Sequence, residues 1–162
     1  MILIALGANL ASAVGRPEET LRAALASLDA RGITVEKQSG FYQSEAWPNP
    51  SDPPFVNAVA NVRTNLKPAD LLRVLHEVEA EFGREPGARN APRTLDLDLI
   101  DYDHRIEHGD PELPHPRMED RAFVLIPLRD IAPEWRHPET GRTVGELIAG
   151  LGPVKVTPVA PG

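Results

Sequence analysis

The sequence predicts an α+β fold: a ferredoxin-like β-α-β-β-α-β core, with a mainly antiparallel sheet and both helices packed on one face. Three observations predict it. Short apolar runs and two stretches of helical periodicity follow one another in the order strand, helix, strand, strand, helix, strand. Both helical stretches open on a proline, Pro17 and Pro68, and each is closed by a glycine, Gly32 and Gly83. Hydrophobic residues make up 41% of the 162 positions, enough for one core, and no repeat or long linker divides the chain. A single domain over residues 1–162 is therefore expected.

The first strand is the continuous apolar run Ile2–Leu6, punctuated by Gly7 and Asn9. No Lys or Arg precedes it and Gly7 interrupts it, so it reads as a strand and turn rather than a secretory leader. The first helix spans 17–30, with Glu18 and Glu19 in its first turn and Leu21, Ala24, Leu25 and Leu28 on one face. A second strand covers Ile33, Val35 and the Phe41-Tyr42 pair. Four prolines in WPNPSDPP, 47–54, exclude regular structure there.

The third strand, 55–64, has Val56, Ala58, Ala60 and Val62 on one face and Phe55, Asn57, Val59 and Asn61 on the other. The second helix carries the stripe Leu71, Leu75, Val78 and Phe82. A loop rich in Gly, Pro and Arg, 83–92, leads into the fourth strand, RTLDLDLIDY. The segment 110–121 reads as a polar loop, AFVLIPLRDIAP as a short strand plus helix, 143–149 as a small helix and VKVTPV as an edge strand.

The net charge of −7 argues against a general grip on nucleic acid, whose phosphates need a basic face. No apolar stretch approaches the ~20 residues that span a membrane. The absence of cysteine excludes disulfides, thiolate metal sites and a cysteine nucleophile. It fits a reducing compartment, so the cytoplasm is the expected location. There is no GxxxxGK[ST] and no GxGxxG, and no Ser-His-Asp triad can be assigned.

The chemistry concentrates in RTLDLDLI, 93–100. On a strand, Asp96 and Asp98 share a face, about 6.6 Å apart along the backbone, while Leu95, Leu97 and Leu99 face the core. Alone, the pattern is most simply a half-buried strand with an acidic wet face. Yet like charges on one strand face repel and Asp is depleted in strands, so the pair calls for a cation. Two carboxylates suit Mg²⁺, which is commonly held by one or two carboxylates plus substrate phosphates.

Arg84, Arg89, Arg93 and Arg121 surround the pair in sequence, and guanidinium forks match phosphate oxygens. Singly, each is an ordinary surface arginine; together beside DLD they suit phosphoryl transfer. His115 sits between two prolines, and His76 and Glu79 lie three apart on the second helix, where simple solvation is the plainer reading. Asn57 is a polar side chain in an apolar strand: it either meets water or satisfies a backbone group, or it reads the edge of a heteroaromatic ligand stacked by Phe55, Phe123 or Trp47.

The blocks LGANL at 6–10, FYQSEAW at 41–47, FVNAV at 55–59, APRTLDLDLI at 91–100 and LPHPRMEDRAFVLIPL at 113–128 resemble the 6-hydroxymethyl-7,8-dihydropterin pyrophosphokinase family of folate biosynthesis, in order and spacing, to about residue 135. The resemblance implies transfer of the β,γ-diphosphate of ATP, as co-substrate, onto the hydroxymethyl group of a reduced pterin, releasing AMP. It implies two Mg²⁺ ions on Asp96 and Asp98, with Arg84 and Arg93 stabilising the transferring group.

By the same resemblance, His76, Glu79, Arg84, Arg89, Arg93, Leu99, His115 and Arg121 form the ATP side. Ser44, Glu45, Trp47, Phe55, Asn57 and Phe123 form the pterin side. A monomer acting without nucleic acid or membrane is expected, with the 83–92 loop closing over ATP. Asn90 and Ala91 stand where some members carry Trp-Gly. A nucleotide-sensing module without turnover and a related transferase with another acceptor are the alternatives.

Overall fold

Strand β1 (Ile2–Ala8) is apolar on both faces, and the fold buries both. The computed structural model describes residues 1–9, 15–44, 54–83 and 95–159. After β1 come α1 (Pro17–Ala30), β2 (Thr34–Gln38), β3 (Tyr42–Ser44), β4 (Phe55–Arg63), α2 (Pro68–Glu81) and β5 (Asp96–Tyr102). The second half adds β6 (Glu107–His108), β7 (Glu112–Leu113), a 3₁₀ turn at Met118–Asp120, α3 (Ala122–Ile131), α4 (Val144–Ala149) and β8 (Val156–Pro158).

The main sheet runs β5-β1-β4-β3-β8, with β2 also paired to β4, and each of these pairings is antiparallel. This is the expected split βαβ order. Helices α1 and α2 cover one face, where Leu21, Leu25, Leu28, Leu71, Leu75 and Val78 pack on Ile2, Ile4, Leu6, Ala58, Ala60, Leu97 and Leu99. Each fully buried leucine stabilises by about 1.5–3 kcal/mol.

The opposite face is a second core, with Leu3, Val59 and Ile100 under Val124, Leu125, Leu128, Trp135, Val144 and Leu147. This third layer, α3 and α4, covers only part of its face. Asp96 and Asp98 are left half-buried beyond it.

Four expectations change. The second strand is two: β2 ends at Gln38, the Ser39 hydroxyl takes the Val59 N–H at 3.0 Å, and β3 starts after Gly40 and Phe41. The 122–131 segment contains no strand and is helical throughout, despite Pro127. Burial between the sheet and α4 accounts for its unbroken apolar character, which periodicity alone does not distinguish from a strand. The 110–121 segment is ordered, holding β7 of the β6–β7 hairpin and the 3₁₀ turn. Finally, β5 carries a bulge: Leu99 pairs with Ile4 and Asp101 with Leu3, leaving Ile100 as the extra residue. Ile100 joins the second core, Asp101 bonds Trp135 of the same layer, and Tyr102 returns to the first core.

Candidate active site

The register of the sheet builds the site. Gly7 of β1 lies opposite Asn57 of β4 on one side and Asp96 of β5 on the other, and Asn57 lies opposite Tyr42 of β3. Asp96, Gly7 and Asn57 therefore form a row across three adjacent strands, spanning two strand spacings, about 9.6 Å. One step along, Asp98 lies opposite Ala5. All of these face the α3/α4 side, at the end that those helices leave uncovered.

Asn57 is 4% exposed, and its amide donates to the Ser44 hydroxyl at 2.8 Å. That bond joins two expected pterin residues at the β3–β4 pairing, where Ser44 also lies opposite Phe55. Phe123 comes from the first turn of α3, and the Arg121 guanidinium sits 5.5 Å from its ring centroid. The same guanidinium lies 3.9 Å from an Asp98 carboxylate oxygen. Arg121 thus spans from the aromatic face to the carboxylate pair and supplies a compensating cation.

His115 is fixed from both sides. Its backbone N–H donates to the Ile100 carbonyl at 2.9 Å, and its Nδ1 accepts the Arg117 N–H at 3.2 Å. Nε2 is then the protonated nitrogen of the neutral ring. Burial pushes its pKa down to about 4; Arg121 and Arg117 act in the same sense, against the Asp96 carboxylate. At neutral pH His115 is an uncharged donor.

Glu79, 3% exposed on α2, accepts the Leu97 N–H at 2.8 Å and so pins the outer edge of β5 between the two aspartates. Its place is explained by this backbone bond, not by solvation. His76, three residues before Glu79 on the same helix, is exposed. Leu99 is 3% exposed in the first core, which leaves only its main chain to offer a nucleotide. Arg84, Arg89, Arg93, Glu45 and Trp47, and the 83–92 loop beyond Gly83, lie outside the described residues.

The carboxylate pair fits magnesium by its donor chemistry. Among the described residues no group of three or more His, Asp or Glu gathers to form an all-protein cage. Two half-exposed carboxylates on one face are a donor set that leaves positions for water and phosphate oxygens.

Several residues of this end were missed in the sequence. The segment after α3 brackets the site from behind: the Trp135 indole N–H donates to Asp101 at 2.8 Å, and the His137 Nε2 lies 3.2 Å from Glu119. His137 Nδ1 accepts the Glu139 and Thr140 N–H groups, which leaves Nε2 as the donor. One bond thus holds β5 three residues from Asp98, and the other holds the turn two residues before Arg121. Both are pairings between distant positions, with no local signal in the sequence. Arg117 was visible in HPR but carried no assigned role, and Gly7 was visible only as punctuation.

Comparison with known proteins identifies the family and the fold. The model of the family described as 7,8-dihydro-6-hydroxymethylpterin-pyrophosphokinase matches residues 3–133. A Synechocystis 2-amino-4-hydroxy-6-hydroxymethyldihydropteridine pyrophosphokinase is 41% identical over 99% of this chain and 80% of its own. The Pseudomonas aeruginosa protein of the same name is 41% identical over 91% of this chain and 90% of its own. The crystal structure of Plasmodium falciparum HPPK-DHPS superposes with a TM-score of 0.70 at 14% identity, over 92% of this chain and 40% of that one. At that identity the likeness speaks for the fold alone. The family match over most of the length and the two relatives at 41% identity decide the assignment: the chain belongs to the 7,8-dihydro-6-hydroxymethylpterin-pyrophosphokinase family.

Proposed function

We propose that this chain transfers the β,γ-diphosphate of ATP to the hydroxymethyl oxygen of 6-hydroxymethyl-7,8-dihydropterin, in folate synthesis. An oxygen–phosphorus bond forms at Pβ as the hydroxyl loses its proton to solvent, the bond from Pβ to the bridging oxygen breaks, and AMP leaves with that oxygen. The transferase class follows from membership of the family. The substrates are those in the names of the relatives, and ATP and Mg²⁺ dependence is our reading of the site.

One observation carries the proposal: a polar hook, Asn57 with Ser44, and a carboxylate pair, Asp96 and Asp98, stand on one sheet face with Arg121 and Phe123 at the margin. Asn57 and Ser44 bind the hydrogen-bonding edge of the pterin, with Phe123 and Phe55 stacking on its ring. Asp96 and Asp98 hold two Mg²⁺ ions, whose charge neutralises the triphosphate and acidifies the alcohol when bound. Arg121 and the neutral His115 Nε2–H meet phosphate oxygens. Arg84 and Arg93 act on the transferring group, and Arg89 on the triphosphate. Glu79 keeps β5 and its aspartates in register. The absence of cysteine supports a cytoplasmic setting, and among the described residues no helix is long and apolar enough to cross a membrane.

The test is AMP production from ATP and the pterin alcohol with Mg²⁺ titrated. Asp96→Ala and Asp98→Ala should abolish AMP release while preserving the melting temperature. Binding of both substrates without product, or normal turnover by either variant, would sink the assignment.

A further inference from the structure

The row Asp96–Gly7–Asn57 places a glycine in the middle of β1, a strand paired on both sides. Glycine there weakens a strand, so its presence calls for a reason. The backbone does not supply one: Gly7 is not among the positive-φ glycines, and any L-residue can adopt its conformation. Space supplies it. A Cβ on Gly7 would stand 3.2 Å from the Asn57 Oδ1, with Phe55 Cδ1 and the Val56 carbonyl oxygen at 3.8 Å. The missing side chain is what lets the Asn57 amide lie over β1 while its nitrogen reaches Ser44 at 2.8 Å.

We infer that Gly7 is a positioning residue for the acceptor substrate. Its bare backbone sets the orientation of the Asn57 amide and is the floor between that amide and the Asp96 carboxylate. This rests on the reading of Asn57 as the pterin hook and Asp96 as a metal ligand. A planar heterocycle held by Asn57 at one end must pass over β1 for its alcohol to approach Asp96. Gly7 is the β1 residue at that crossing. A methyl group there displaces the amide by a few tenths of an ångström and raises the floor. It leaves Arg121, His115 and the aspartates untouched.

The experiment is a double-mutant cycle of Gly7→Ala and Asn57→Ala, reading pterin KM, ATP KM and melting temperature. Gly7→Ala alone should raise pterin KM about five- to tenfold, the loss of roughly one hydrogen bond. ATP KM should hold within about twofold, and the melting temperature should not fall, because alanine restricts the unfolded chain more than glycine does. In the Asn57→Ala background, adding Gly7→Ala should raise pterin KM by clearly less than it does alone, because no amide is left to displace and only the raised floor remains.

Equal losses in both backgrounds would overturn the inference, as would a parallel loss of ATP affinity. If Gly7→Ala melts early, recovery on adding Asn57→Ala supports the steric link, and no recovery overturns it. Should Asn57→Ala weaken pterin binding while Gly7→Ala is silent, only the role of Gly7 falls. Should Asn57→Ala leave pterin KM unchanged, the pterin reading itself falls, and this inference with it.

Discussion

Replacing Trp135 by phenylalanine tests whether the segment behind the site holds the carboxylate-bearing strand. Asp101 is fully buried, with 0% exposure, and accepts the Trp135 indole N–H at 2.8 Å and the His104 N–H at 3.1 Å. Trp135 is itself 4% exposed, stacked 6.3 Å from the His104 ring and edge-on 5.9 Å from the His137 ring. Phenylalanine keeps an aromatic plane but removes the donor. A hydrogen bond to a charged acceptor contributes about 1.5–3 kcal/mol net. The indole's lost volume adds about 1 kcal/mol. A loss near 3 kcal/mol lowers the melting temperature by about 6–12 °C for a chain of this size. Urea melts of Trp135→Phe, Asp101→Ala and the double variant isolate the bond itself. A coupling of about 1.5–3 kcal/mol is expected, and one below about 0.5 kcal/mol would refute the reasoning, because the segment would then be held by packing alone.

Further outcomes follow from the same geometry. Glu79→Ala strips the acceptor from the Leu97 N–H, which should cost about 1–3 kcal/mol and speed exchange of that amide; unchanged protection would show that the carboxylate does not hold β5. His115 has its pKa pushed down to about 4, so its ring should stay neutral by NMR well below the ordinary value near 6.5. The sign follows: below pH 6.5 the unfolded chain takes the proton first, so this contribution to stability is full above pH 6.5 and fades as pH falls towards 4. Titration of the folded ring near 6.5 would contradict this. Tyr42 donates to Asp130 at 2.6 Å, and burial with that carboxylate raises its pKa to about 12. Its contribution is therefore intact below pH 10 and lost as pH rises towards 12, and Tyr42→Phe should flatten that part of the stability profile.

What was legible in the sequence was whatever a local period or a short motif encodes. The helix bounds at Pro17 and Pro68, the alternation that turns Leu97 and Leu99 inward and Asp96 and Asp98 outward, and the turn prolines around His115 are all local patterns. Asn57 was visible as a polar residue in an apolar strand, and the structure gives it the Ser44 partner that explains its burial. Reading 122–131 as part strand failed because AFVLIPL at 122–128 is apolar without a break, and such a run does not by its period separate a buried helix from a buried strand. Glu79 read as a solvated helix residue because its partner is a backbone N–H on another element, which no spacing rule reveals.

By itself the sequence determined the two helices of the core between their flanking strands, the facing of side chains along β4 and the start of β5, and the placing of two carboxylates two residues apart. These follow from backbone periods and side-chain chemistry, which act over a few residues. Register and layering were left to the tertiary structure. Pairing set Gly7 between Asn57 and Asp96, the bulge at Ile100 turned Asp101 towards Trp135, and packing of α3 brought Arg121 to within 3.9 Å of Asp98. Such contacts join residues tens of positions apart, and only the closing of both cores against the sheet determines which of them meet.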